Sequence, residues 1–265
     1  MTTAYFDPAR PRIFAHRGLA THATENTLAA FRAAVDTGAD YVETDVHASR
    51  DGVAVVAHDP TLERIAGRTD RVDSLSLAEL RSIDLGDGLG FPTLEEALLA
   101  FPDTRFNIDV KSVAAAEPTA RAIAATGAAG RVLLTSFSRD RRRAAMGHLA
   151  RLLAGSSGRP AAASAAAEEF VPALVAAKLG LVPVARALLR EVDAVQIPTR
   201  VGPLRTTTEA TIRRLHAAGV EVHVWTINDL DEAAGILARG ADGIVTDRAD
   251  AVLALVERRR GRQPS

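Results

Sequence analysis

Short apolar, β-forming runs alternate with longer stretches whose apolar positions recur every three to four residues, and this order holds almost from end to end. Arg12–Ala15 predicts a strand, and Thr27–Thr37 a helix closed by Gly38. Tyr41–Ala48 predicts a strand, Leu94–Ala100 a helix, Arg105–Lys111 a strand and Ala115–Ala125 a helix. Val132–Ser136 follows as a strand and Arg139–Leu149 as a helix, with a weaker strand at Arg151–Gly155. The strands Ala194–Pro198, Glu221–Thr226 and Gly243–Thr246 complete the series, with helices at Thr208–Ala218, Leu230–Ala238 and Ala249–Arg259.

About eight strands separated by helices demand a parallel sheet, and 265 residues suit one α/β chain folded as a TIM-like (β/α)₈ barrel. The expectation is a single catalytic domain over residues 1–265, with a small insertion after the second strand at 59–92. An Ala-rich segment from Ser156 to about Arg190 reads as a second interruption, and residues 258–265 as a solvated tail. Gly38-Ala39-Asp40 and Gly240-Ala241-Asp242 each place a helix-closing glycine directly before a strand.

Composition narrows the chemistry. The net charge is -1 and aromatics make up 4%, so neither a global basic field nor a stacking platform favours nucleic acid. With no cysteine, disulfides, thiolate nucleophiles and cysteine zinc sites are excluded. Met1–Arg12 lacks the apolar core of a secretory signal. The apolar stretch 161–177 is broken by Glu168, Glu169 and Pro172, so no transmembrane segment is expected and the default location is cytoplasmic.

Within the second strand, period-two alternation puts Glu43 and Asp45 on one face and Val42, Thr44 and Val46 on the other. Two adjacent carboxylates repel each other, a conflict that a bound divalent cation removes; ordinary charges at an exposed strand end are the plainer reading. Asp51-Gly52 predicts a two-residue hairpin turn that pairs Arg50 with Val53 and sets His58 opposite Asp45. On the next strand Asn107, Asp109 and Lys111 share a face, offering a third carboxylate and a cation for a phosphate oxygen, or simply an Asp–Lys ion pair. His16-Arg17-Gly18 follows the first strand, where βα loops build active sites. Arg17 supplies a planar fork for phosphate. Glu25 either orients Arg17 or favours a helix N-terminus, and Asn26 or Thr27 caps the first helix. Thr93 and Glu96 form a capping box. Trp225 lines a pocket or packs in the core, while His47 is expected to be solvent-exposed.

Taken together, His16-Arg17-Gly18, Glu25-Asn26-Thr27, Glu43-Thr44-Asp45-Val46, Asp51-Gly52 with His58-Asp59, and Pro92-Thr93-Leu94-Glu95-Glu96 resemble the glycerophosphodiester phosphodiesterase family. Asn107–Lys111, Val224-Trp225-Thr226 and Asp242–Asp247 extend that resemblance, which runs collinearly over about residues 12–253. It implies hydrolysis of glycerophosphodiesters to glycerol 3-phosphate and an alcohol, assisted by one divalent cation. By the resemblance, His16 and His58 are the acid–base pair, and Glu43, Asp45 and Asp109 the metal ligands. Arg17 and Lys111 become phosphate contacts, and Trp225 a wall of the pocket. The family usually carries glutamate where this chain has Asp109, and a proline before Glu-Asn-Thr that the loop Leu19–Thr24 lacks. An all-oxygen ligand set suits Mg²⁺ or Ca²⁺, or Mn²⁺, rather than zinc. Alternatives are lysophospholipase D-type hydrolysis on the same site, a Mg²⁺-dependent barrel lyase or isomerase, and a non-catalytic phosphodiester-binding protein.

Overall fold

Each barrel strand is buried along nearly its whole length, because its outward side chains meet helices and its inward ones meet the other strands. The computed structural model describes residues 4–8, 10–21, 23–86, 88–155 and 161–260. The barrel strands are β1 (Arg12–His16), β2 (Tyr41–Ala48), β3 (Arg105–Val110), β4 (Val132–Thr135), β5 (Ala162–Ala163), β6 (Ala194–Ile197), β7 (Glu221–Val224) and β8 (Gly243–Thr246). They pair in parallel in the order β5-β4-β3-β2-β1-β8-β7-β6. The seam between β5 and β6 is drawn together by Asp193 N–H donating to Ala163 O at 2.8 Å and Ala165 N–H to Ala194 O at 2.9 Å. The result is an eight-stranded, nearly closed (β/α)₈ barrel.

Alternation sorts the side chains by layer. Ile13, Val42, Val46, Ile108 and Val110 face outward into the large core between sheet and helices. Phe14, Tyr41, Leu133, Ala162, Ala194 and Val245 share a second cluster with Tyr5 that fills the barrel interior. Above this plug, continuing the Tyr41 face, stand Glu43 and Asp45. The plug therefore forms the floor of the site.

Three expectations are corrected here. The helix beginning at Arg139 runs to Leu152, so Arg151–Gly155 is a helix end and turn; the fifth strand is Ala162–Ala163. Leu149 and Leu152 simply extend the helical spacing, whereas an alanine pair carries no strand signal and is set by pairing with Leu133 and Leu134. Ser156–Arg190 is consequently no insertion: it supplies β5 and the helices Ala167–Lys178 and Val182–Leu188, with residues 156–160 outside the described residues. Finally, the last helix, Ala249–Arg260, absorbs the first residues of the expected tail, while 261–265 lie outside the described residues.

The insertion after β2 does form. Its hairpin strand, Ala54–Val56, pairs antiparallel with β2, and its own apolar cluster includes Leu62, Val72, Leu80 and Phe91. The hairpin register, however, is one residue away from the expected one. Val46 pairs with Val56 and His47 with Val55, and Ser49 N–H donates to Val53 O at 2.9 Å. A three-residue loop, Arg50-Asp51-Gly52, with Gly52 at φ 76°, replaces the two-residue turn. Ser49 Oγ stabilises it by accepting from Val53 N–H at 3.0 Å and donating to Asp51 at 2.6 Å. Ala57, not His58, therefore lies opposite Asp45, its N–H bonded to Asp45 O at 3.0 Å.

Candidate active site

The one-residue slip does not remove His58 from the site, because the chain leaves the ladder after Val56 and the imidazole turns inward. His16, Arg17, Glu43, Asp45, His58, Asp109, Lys111 and Trp225 all line one cavity of about 430 Å³ at the C-terminal end of the barrel. Of the residues expected there, Glu25 stands just outside, bonded to Arg17.

The first βα loop is held in an unusual shape. Arg17 and Asn26 both have positive φ, 55° and 58°, and Asn26 N–H closes the loop on Arg17 O at 2.9 Å. Non-glycine residues in this region are held there by their surroundings and cluster at functional sites. Gly18, at φ 85°, passes so close to the first helix that a Cβ would lie 2.6 Å from the Ala30 carbonyl carbon. Within this loop Glu25 Oε1 accepts from Arg17 Nη1 at 2.9 Å, so of the two readings of Glu25 the contact with Arg17 is the one present. Thr27, not Asn26, caps the helix, accepting from Ala30 N–H at 3.2 Å. Asn26 instead donates to Asp45 Oδ2 at 3.0 Å and accepts from Thr44 Oγ1 at 2.8 Å. The Thr93–Glu96 capping box forms as expected, fixing the chain that returns from the insertion.

Three carboxylates converge on adjoining strands, and Asp45 pairs directly with Asp109 in the β2–β3 register. All three are buried. Burial, reinforced by the charge of Asp45, pushes the Glu43 carboxyl up to about 8. Burial likewise raises Asp109. Asp45 is held below its usual value: burial opposes this, but the charges of Lys111 and His58 outweigh it. The Lys111 ammonium sits between Asp45 Oδ1 and Asp109 Oδ2 at 2.7 Å from each. Asp109 Oδ1 is buried with no hydrogen-bond partner.

That inventory bears on a metal. An all-oxygen set with two carboxyls pushed upward and one orphaned oxygen is what a hard divalent cation would relieve, so the residues present fit one. Among the described residues, no three acidic or imidazole side chains are already gathered around one ion-sized point. Lys111 meanwhile serves as the neutralising charge.

The two histidines share one design. His16 Nδ1–H donates to Asp247 Oδ1 at 2.6 Å, and Asp247 Oδ2 accepts from Asn228 Nδ2 at 2.6 Å. His58 Nδ1–H donates to Asp59 Oδ1 at 2.7 Å. A carboxylate only accepts, so each ring carries its proton on Nδ1 and leaves Nε2 for chemistry. Nε2 of His16 lies 3.9 Å from Glu43. Burial lowers the His16 pKa, yet Asp247 and Glu43 more than compensate and leave it raised. Asp247 and Asn228 gained no role from the sequence; the signal was there in Asp247, at the end of the last strand motif. His47, expected in solvent, is buried, with Nε2 3.2 Å from His58 O. Adjacent pairing with the insertion covers it.

Opposite the charged side, the cavity is apolar. Phe137, Phe170, Val171, Pro198, Val201 and Trp225 form that wall, with Phe137 and Trp225 packed edge to face at 5.9 Å. Trp225 thus lines the pocket and also packs, partly buried, against the barrel-interior cluster.

Barrel and rim together define an enzyme with two carboxylate-bound imidazoles beside an acidic centre. The sequence matches the Glycerophosphoryl diester phosphodiesterase family over residues 16–251, and the chain belongs to that family. It is a phosphoric diester hydrolase, which sets aside the lyase and non-catalytic alternatives. It is 42% identical over 237 residues to a probable glycerophosphodiester phosphodiesterase 2 of Mycobacterium tuberculosis, covering 89% of this chain and 87% of that one. A lysophospholipase D of Rattus norvegicus is 38% identical over 113 residues, 38% of this chain and 36% of its own. Among solved structures, a glycerophosphodiester phosphodiesterase of Thermotoga maritima superposes with TM-score 0.70 at 26% identity, covering 94% of this chain and 99% of that one. An Oleispira antarctica phosphodiesterase in complex with sn-glycerol-3-phosphate superposes with TM-score 0.73 at 23% identity, covering 93% and 97%.

Proposed function

We propose that the enzyme hydrolyses glycerophosphodiesters to sn-glycerol 3-phosphate and an alcohol, with a divalent cation and a pair of histidines as acid and base. The observation that carries this reading is the symmetry of the two imidazoles, each tied at Nδ1 to a carboxylate and flanking the acidic centre. Glu43, Asp45 and Asp109 would hold Mg²⁺ or Ca²⁺, with Mn²⁺ a further candidate. When bound, the cation would draw charge from the phosphoryl oxygens and lower the barrier to attack on phosphorus.

Every other part falls to side chains. Arg17 and Lys111 bind the phosphoryl oxygens and stabilise their growing charge. One histidine takes the proton of the attacking water at Nε2 as its oxygen bonds to phosphorus, while the other delivers a proton to the alkoxide whose bond to phosphorus breaks, each transfer worth ~10²–10⁴-fold. Asp247 and Asp59 keep the reactive nitrogens aimed inward. Trp225 and the apolar wall receive the alcohol portion. No helix among the described residues is long and apolar enough to cross a membrane.

A second reading is supported by the apolar wall: an acyl-bearing lysophospholipid would place its hydrocarbon against Phe137, Val171 and Trp225. One assay tests both. Purified protein is offered glycerophosphocholine, glycerophosphoethanolamine and lysophospholipids with Mg²⁺ and Ca²⁺ separately. The first reading expects release of sn-glycerol 3-phosphate from the glycerophosphodiesters and the second release of lysophosphatidic acid from the lysophospholipids, in each case abolished by EDTA and restored by the cation. Full activity in Glu43→Ala and His16→Ala would refute the site.

A further inference from the structure

Arg64 belongs to none of the motifs read from the sequence and does not line the catalytic cavity. It sits in the insertion, on the single helical turn Glu63–Ala66, which Gly67 ends with φ 65°. Of its neighbours, Leu62 is buried in the insertion's own apolar cluster and Ile65 packs against it. The guanidinium therefore projects from an anchored base toward the barrel rim.

There it meets two carboxylates that come from different parts of the chain. Arg64 Nε donates to Asp59 Oδ2 at 2.6 Å, and Asp59 Oδ1 accepts from His58 Nδ1 at 2.7 Å. Arg64 Nη2 donates to Glu25 Oε1 at 2.5 Å, and the same oxygen accepts from Arg17 Nη1 at 2.9 Å. The unbroken order is His58–Asp59–Arg64–Glu25–Arg17, alternating donor and carboxylate. We infer that Arg64 is a positioning residue that locks the acid–base histidine of the insertion side and the phosphate-binding arginine of the first loop into one fixed spacing. This rests on the roles proposed for His58 and Arg17.

Two physical points favour positioning over simple stapling. Arg64 is half exposed (49% for its side chain), and ion pairs this open add little to stability, so its contribution shows mainly in catalysis. The Nε and Nη2 donors are set at a rigid angle by the planar guanidinium, so satisfying both carboxylates fixes their relative placement. A lysine would supply charge without that angle. Asp59 and Glu25 both remain ionised, their pKa values lowered by these hydrogen bonds against the effect of burial.

The test compares Arg64→Ala and Arg64→Lys with Arg68→Ala, whose arginine pairs with Asp70 on the insertion surface. A displacement of about 1 Å in reacting groups costs ~10²-fold, so Arg64→Ala is expected to lower kcat/KM for glycerophosphocholine by about that factor. Both kcat and KM change, the first through His58 and the second through Arg17, while the melting temperature stays near that of the wild type. Added guanidinium should recover at least about a tenth of the lost activity in Arg64→Ala, since the same donor fork is restored. Arg64→Lys should recover little, and Arg68→Ala should match the wild type. Unchanged kinetics in Arg64→Ala, or a loss that follows the melting temperature and ignores guanidinium, overturns the inference. The ¹⁵N spectrum of the His58 ring decides the matter separately from turnover. Wild type should show the Nδ1–H tautomer and Arg64→Ala a mixture; identical spectra count against Arg64 even if the wild type hydrolyses no glycerophosphodiester, an outcome that sinks the proposed function alone.

Discussion

His16 and Asp247 meet at 2.6 Å although they lie at opposite ends of the sequence, because β1 and β8 are neighbours in the barrel and both end at the same rim. Asp247 thereby fixes the tautomer of the imidazole and raises its pKa. Replacing it by asparagine keeps the shape and removes the charge. Asp247→Asn is expected to lower kcat by ~10²–10⁴-fold, the range for a misdirected acid–base group. Because the carboxylate raises the His16 pKa, its loss moves the limb of the pH–rate profile that reports His16 toward lower pH. A profile that keeps both limbs in place would show that Asp247 does not act through His16.

The acidic centre should bind cations in the absence of substrate. Ligand present at about 100 times its Kd stabilises a fold by about 2.7 kcal/mol. For a chain of this size that is roughly 5–10 °C in Tm. Differential scanning calorimetry with Mg²⁺ or Ca²⁺ should show such a rise, lost in an Asp45→Asn/Asp109→Asn variant. Lys111→Met removes the ammonium that holds the same oxygens, so half-saturation should come at lower cation concentration. A Tm indifferent to every divalent cation argues against the ligand set.

Gly18 has no room for a side chain. At φ 85° an alanine is strained, and its Cβ would approach the Ala30 backbone to 2.6 Å. Gly18→Ala is expected to cost more than about 1 kcal/mol in urea unfolding. Arg17 moves with its neighbour, so activity should fall further than stability explains; an active, equally stable variant would contradict the packing.

At the far end of the barrel, Glu221 binds the buried Arg12 at 2.8 Å and His223 at 3.1 Å. Burial would raise its pKa, but these partners hold it well below the ordinary value of 4.5. The native state therefore binds fewer protons than the unfolded chain at low pH, and the associated stability is present above about pH 4.5 and lost as pH falls further. Glu221→Gln leaves Arg12 buried without its counter-charge, a loss of ~3–5 kcal/mol at neutral pH. The gap between variant and wild type in chemical unfolding should narrow as the buffer is taken from pH 5 toward pH 2. A constant gap would place the effect in packing instead.

Much of this was legible beforehand because local chemistry dictated it. The carboxylates on β2 follow from period-two alternation, and the Thr93–Glu96 box from residue types at fixed spacing. What the sequence misplaced was decided by distant partners. Ala162–Ala163 has no strand pattern of its own and becomes β5 through Leu133 and Leu134. The hairpin register turned on Ser49, whose hydroxyl bonds to Val53 N–H and favours a three-residue loop over the expected two. Of Asn26 and Thr27, the two residues offered as helix cap, Thr27 is the cap; the hydrogen bond of Asn26 to Asp45 depends on a loop held at positive φ. Asp247 reaches His16, and Arg64 reaches Asp59 beside His58, only after the barrel and the insertion are assembled.

The run Ala165-Ala166-Ala167, just beyond the two alanines of β5, lines the cavity where neighbouring strand ends offer Phe137 and Trp225. The hollow exists because methyl groups stand where bulkier ones would meet across the mouth. Its capacity is consequently adjustable at a single place: lengthening one of these methyls, as in Ala165→Leu, would shrink the room for the departing alcohol while leaving the imidazoles and acids untouched. Volume on this one segment is thus separable from the groups proposed to attack the phosphorus.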